Sequence, residues 1–217
     1  MKTVLLLLIS VSVFAQSDPW KNVYTESAWK ERDAWQRADE LIQLLHVRRG
    51  SRVADVGSHE GYMTFKLATT VGEAGRVFAV DVESAKLDKL KAHANERDVR
   101  NVTAVKGEYD DPKLAANSLD AVIILDTYHE MQDHDKILQH IKAALKTGGR
   151  LLICEPIANE RRGETRARQE SKHELEMKFA LEDLQKAGLT VTFKQDRYVD
   201  REKVKGDTMW VIVATKP

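Results

Sequence analysis

Val53-Ala54-Asp55-Val56-Gly57-Ser58-His59-Glu60-Gly61 reads as a short apolar strand that passes through a glycine turn into a helix. Glycine at such a turn accepts a left-handed backbone and lets a ligand approach the main chain closely. The turn alone is weak evidence, and the following strand adds to it. Val77-Phe78-Ala79-Val80 ends in Asp81, about 20 residues onward, where a carboxylate can accept two hydrogen bonds from a ribose diol.

Working outward, short apolar, β-rich runs are expected as strands at 52–56, 77–80, 102–105, 121–125 and 150–154. Amphipathic stretches at 61–70, 84–97 and 134–146 are expected as the helices between them, the last stopped by Gly148-Gly149. This alternation predicts a doubly wound α/β fold: a sheet with helices on both faces. In front of it, Trp35, Ala38, Leu41, Ile42 and Leu45 share one face of a single expected helix over 25–46. Behind it come a helix over 174–187, Gly188, a strand at 190–195 and a strand at 209–214. About a dozen residues separate those two strands, too few for a helical crossover, so they should pair antiparallel.

The 217 residues carry 34 Lys plus Arg against 34 Asp plus Glu. That balance argues against nucleic acid or anionic lipid as the main partner and favours a small molecule held by a local site. Lys2, the apolar run from Val4 to Ile9, and Ala15 before Gln16 have the layout of a cleavable export signal. The run is about half the ~20 residues of a spanning helix, so no stable membrane insertion is expected after cleavage. The expected division is a signal at 1–15, a linker at 16–24 and one domain at 25–217, exported to a periplasm or beyond. Cys154, the sole cysteine, sits in an apolar run and is expected to pack inertly. The charged segment 159–176 reads as a solvated loop, or as a lid because it follows the fifth strand. Trp20, Tyr24 and Trp29 read as core packing, or as a flap over a cofactor.

The run Asp55-Val56-Gly57-Ser58-His59-Glu60-Gly61 resembles the first motif of class I S-adenosylmethionine-dependent methyltransferases, acidic-x-Gly-x-Gly-x-Gly. Asp81, followed by Val82, resembles their ribose-binding acidic position. Gly107-Glu108-Tyr109 is similar to the segment beside the adenine, and Leu125-Asp126-Thr127-Tyr128-His129-Glu130 to the segment after the fourth strand. A narrower likeness, to bacterial small-molecule methyltransferases, rests on Arg32-Asp33-Ala34-Trp35-Gln36, Asp110-Asp111-Pro112 and Tyr128-His129-Glu130. The resemblance implies a Rossmann-like sheet of seven strands, mostly parallel with an antiparallel C-terminal strand. It implies S-adenosylmethionine as cofactor, a small-molecule acceptor, and a cofactor site made of Asp55, Gly57, Ser58, His59, Gly61, Asp81, Val82, Glu108, Tyr109 and Asp126.

His59 departs from that pattern, standing where the middle glycine is usual. Histidine tolerates a left-handed backbone better than β-branched residues do, so the turn is expected to survive while the ring crowds the site. Two alternatives follow: a non-catalytic binding module, or a nicotinamide oxidoreductase. The second is disfavoured because glycine is absent at 59, and Asp55 and Glu60 would repel a diphosphate. Methyl transfer needs alignment of the acceptor and, in some cases, removal of a proton. The candidates are Tyr128, His129 and Glu130, with Asp126 and Glu155 beside them, His129 serving as base or as a packed histidine. The spacing of His129, Glu130 and His134 matches no zinc pattern, so no metal is expected.

Overall fold

In the computed structural model, which describes residues 27–217, the glycine turn follows β1 (Arg52–Val56) within a seven-stranded sheet. The expected signal and linker, with Trp20 and Tyr24, lie outside the described residues. The other strands are β2 (Arg76–Asp81), β3 (Val102–Lys106), β4 (Leu119–Leu125), β5 (Leu145–Ile157), β6 (Thr190–Asp200) and β7 (Thr208–Thr215). Their order across the sheet is β3-β2-β1-β4-β5-β7-β6. The first five pair parallel, and β7 enters antiparallel between β5 and β6, as the short connection between the last two strands requires.

Side chains alternate across the strands, and helices cover both faces. On one face Val53, Val77 and Ile123 pack with Leu41, Phe65 and Leu90 from α2 (Ala38–Leu44), α3 (Tyr62–Val71) and α4 (Ser84–Glu96). On the other, Ala54, Val122 and Ile153 pack with Ile141 and Leu184 from α5 (His134–Ala144) and α7 (Met177–Ala187). Cys154 is fully buried in this core, and burial pushes its thiol well above the ordinary range. Among the described residues, no helix is long and apolar enough to cross a membrane.

Three expectations are corrected. The helix over 25–46 is two: α1 (Ser27–Gln36) and α2 meet at Arg37, whose φ of 53° interrupts the helix. Arg37 is held there by the carbonyl of Tyr198 and by Glu40, so α1 leans on β6 while α2 packs on α3. Gly148-Gly149 does not stop α5, which ends at Ala144. Both glycines lie in the irregular start of β5, where its register with β4 shifts between Leu119 and Ala121. A Cβ on Gly149 would stand 2.8 Å from the carbonyl oxygen of Lys146, closer than such atoms pack. Finally, the segment over 159–176 contains a short helix of its own, α6 (Arg166–Glu170), and the helix expected from 174 starts at Met177. Arg166 fastens α6 to α7 through Asp183, at 3.0 and 2.8 Å. The four-residue α8 (Glu202–Lys205) joins β6 to β7.

Candidate active site

The carboxyl ends of β1, β2 and β4 open into a cavity of about 580 Å3, at the edge of the sheet where open α/β folds bind ligands. The turn after β1 forms its floor. Gly57 has φ 82°, and a Cβ there would stand 2.3 Å from the side chain of Thr127, so only glycine lets the two strand ends approach. His59 adopts φ 49°, the left-handed backbone expected of it, and its exposed ring joins the cavity wall. Ser58 also faces the cavity, and its buried Oγ has no hydrogen-bond partner among the described residues.

Two carboxylates organise this floor. Asp55 is 3% exposed and accepts a hydrogen bond from Thr64 at 2.6 Å. Burial pushes its pKa up to about 6, against the opposing pull of Thr64. Asp81 accepts from the backbone N–H groups of His59 at 2.8 Å and Glu83 at 2.9 Å, so it fixes the shape of the glycine turn from the neighbouring strand. Val82, Glu108 and Tyr109 line the far side with Pro112. Gly61 does not line the cavity: it begins α3 behind the turn at φ 106°, where a Cβ would stand 2.6 Å from the Phe65 ring.

The roof is made from parts distant in sequence. Trp29 and Arg32 of α1 lie over the cavity. Arg32 donates from Nε to Gln36 at 2.9 Å, and its guanidinium carbon stands 4.3 Å from the Tyr62 ring centroid. Burial lowers its pKa, and no carboxylate among the described residues forms an ion pair with it. Asp126, in a left-handed conformation after β4 (φ 57°), accepts from Arg201 Nη1 at 2.9 Å. Arg201 is buried and also grips Asp207. Neither Arg201 nor Asp207 carried a local sequence signal, because Asp126, the partner of Arg201 after β4, lies 75 residues away. Arg32 stood in a quoted motif, but its turn toward the cavity depends on the break at Arg37.

The expected catalytic trio separates. Glu130 is on the cavity rim. Tyr128 is completely buried beneath it and donates its hydroxyl to Asp183 at 2.8 Å. Burial, then the adjacent Asp183 charge, pushes its phenol far above the ordinary range, so it is a core anchor and not a proton carrier. His129 is buried too, with Nδ1 against Glu155. Burial alone would lower its pKa, but the Glu155 carboxylate outweighs that and raises it to about 9, which favours the protonated ring. Glu155, 0% exposed, also accepts from the backbone of Thr127 at 2.6 Å and Tyr128 at 2.8 Å. It therefore pins the turn after β4. His134 faces elsewhere, with Nε2 at 2.9 Å from the carbonyl of Tyr128.

Comparison with known proteins matches residues 48–206 to a family model described as a methyltransferase domain. A ubiquinone/menaquinone biosynthesis C-methyltransferase of Haemophilus ducreyi is 34% identical over 125 residues, covering 56% of this chain and 46% of that protein. The corresponding protein of Klebsiella pneumoniae is also 34% identical over 125 residues, covering 56% and 48%. The match thus spans about half the length of these relatives. Among solved structures, a SAM-dependent methyltransferase from Aquifex aeolicus superposes with a TM-score of 0.73 at 21% identity, covering 88% of this chain and 98% of that one. The [4+2]-cyclase SpnF superposes with a TM-score of 0.71 at 19% identity, covering 84% and 80%.

Proposed function

This chain belongs to the methyltransferase domain family, and we propose that it moves the methyl group of S-adenosylmethionine to a small-molecule acceptor. The observation that carries this reading is the Asp81 carboxylate, which closes β2 beside the left-handed turn Gly57-Ser58-His59 in the wall of one cavity. The donor set fits a cationic sulfonium cofactor and not a diphosphate. Asp55, Glu60, Asp81 and Glu83 all face the cavity, and Ser58 Oγ offers an uncommitted polar group. When bound, S-adenosylmethionine supplies a methyl group on positively charged sulfur, already activated for in-line displacement.

The residues of the chain bind and orient. Asp81 retains acceptor capacity for ribose hydroxyls. Glu108 and Tyr109 flank the adenine end. Arg32, which forms no ion pair among the described residues, complements the amino-acid carboxylate. Trp29 and α1 exclude water from the reacting centre.

Calorimetric titration of the protein with S-adenosylmethionine, S-adenosylhomocysteine and NADH is expected to show saturable binding of the first two alone. Binding of NADH alone, or of none of the three to folded protein, overturns the reading. Asp55 adds a pH dependence. Its raised pKa means that it is protonated below about pH 6, and a bound cation favours the ionised form. Affinity for S-adenosylmethionine should be level above pH ~7 and weaken as pH falls through about 6, approaching tenfold per pH unit below it. An Asp55→Asn variant should lose that slope, and a level wild-type profile would remove Asp55 from the cofactor's surroundings.

A further inference from the structure

We propose that His129, Glu130 and His173 form a binding site for one divalent transition-metal ion of zinc-like chemistry on the rim of the cavity. Each of the three side chains offers one ligand atom, and these atoms all lie within 4.8 Å of one another. His129 Nε2 and Glu130 Oε1 are 3.3 Å apart, close to the separation of two ligands about 2.0–2.1 Å from a tetrahedral ion. His173 Nδ1 contacts the same Glu130 oxygen. The two imidazole rings are 5.8 Å apart and inclined at 79°, so they meet edge to face and are not stacked. Two imidazoles and one carboxylate suit zinc and neighbouring first-row ions, whereas magnesium and calcium prefer sets made of oxygen.

Two further features separate this cluster from a chance meeting of surface charges. Glu155 is fully buried and holds His129 Nδ1, while the backbone of Thr127 and Tyr128 holds Glu155. That arrangement commits Nδ1–H to a carboxylate and leaves Nε2 for an ion that displaces its proton, as in carboxylate–histidine–metal sites. The site is also open on one side. Glu130 lines both the main cavity and a second, polar cavity bounded by His129, His134 and Arg166, which leaves a fourth position for water or an acceptor oxygen. Asp126, His129 and Glu155 also approach one another, but Asp126 is occupied by Arg201 and Glu155 by backbone donors, so that set is not the binding one.

The proposal does not depend on methyl transfer, and its test reads metal alone. Tag-free protein, stripped with chelator, is titrated with zinc by calorimetry and with cobalt(II) by visible absorption. One equivalent should bind, with the cobalt spectrum of a tetrahedral nitrogen–oxygen site. His173 is 73% and Glu130 55% exposed, so His173→Ala and Glu130→Gln should leave the fold intact while weakening binding at least tenfold each. His140→Ala, at an exposed histidine outside the cluster, should change nothing. Absence of one-equivalent binding overturns the proposal, as does binding that both cluster variants leave unaltered.

Discussion

Replacing Glu155 with alanine is expected to lower the unfolding free energy by about 3–5 kcal/mol, the usual loss when one partner of a buried ion pair is removed. Glu155 is inaccessible to solvent and receives His129 Nδ1 together with the N–H groups of Thr127 and Tyr128. Truncation removes the counter-charge, so burial drives His129 toward its neutral form, and it leaves two buried backbone donors without an acceptor. The turn that loses its anchor sits against Gly57 through Thr127. Urea denaturation should therefore show a lower midpoint with an unchanged slope. In a double-mutant cycle with His129→Gln, the two losses should fall well short of additive, because each removes the same pair. A loss under about 1 kcal/mol, or strict additivity, would mean that Glu155 and His129 are not coupled.

Asp81→Ala is expected to weaken binding of S-adenosylmethionine more than tenfold. Hydrogen bonds to a charged acceptor contribute about 1.5–3 kcal/mol, and tenfold corresponds to about 1.4 kcal/mol. The substitution acts twice. It removes the acceptor assigned to the ribose diol, and it frees the His59 and Glu83 N–H groups that shape the turn. Asp81→Asn retains one carbonyl oxygen and should fall between alanine and wild type. An unchanged dissociation constant for Asp81→Ala would take this residue out of the site, and the reading of the cavity would then rest on family membership alone.

Membership of the family does not name the acceptor. The [4+2]-cyclase SpnF shares this architecture, so a sheet of this type does not dictate its chemistry, which resides in the side chains placed upon it. Here the cavity is walled in part by α1 and by the segment after β4, and His173 beyond α6 reaches Glu130 on its rim. Such surfaces have no periodic pattern, and their residues are chosen by a ligand rather than by a core.

The sequence by itself determined the alternation of strands and helices, the antiparallel end of the sheet and the floor of the cavity. Each of these follows from patterns within single strands and turns and from the lengths of the connections between neighbouring strands. Asp55, Gly57 and His59 announce themselves because backbone geometry at a strand end restricts which residues can stand there, and Asp81 because it closes the adjacent strand. Only the tertiary structure decided the roles of Arg32, Arg201 and the trio after β4. Tyr128, His129 and Glu130 are consecutive, yet one is buried against Asp183, one is paired with Glu155 and one stands on the rim. The short helical turn there points successive side chains in different directions, and what each meets is fixed by residues 25 or more positions away. His173 reaches Glu130 across 43 residues, whereas His134, the neighbour suggested by spacing, turns to a backbone carbonyl. Local periodicity carries no information about such encounters, because they are set by how the layers pack and not by the chain's own repeat.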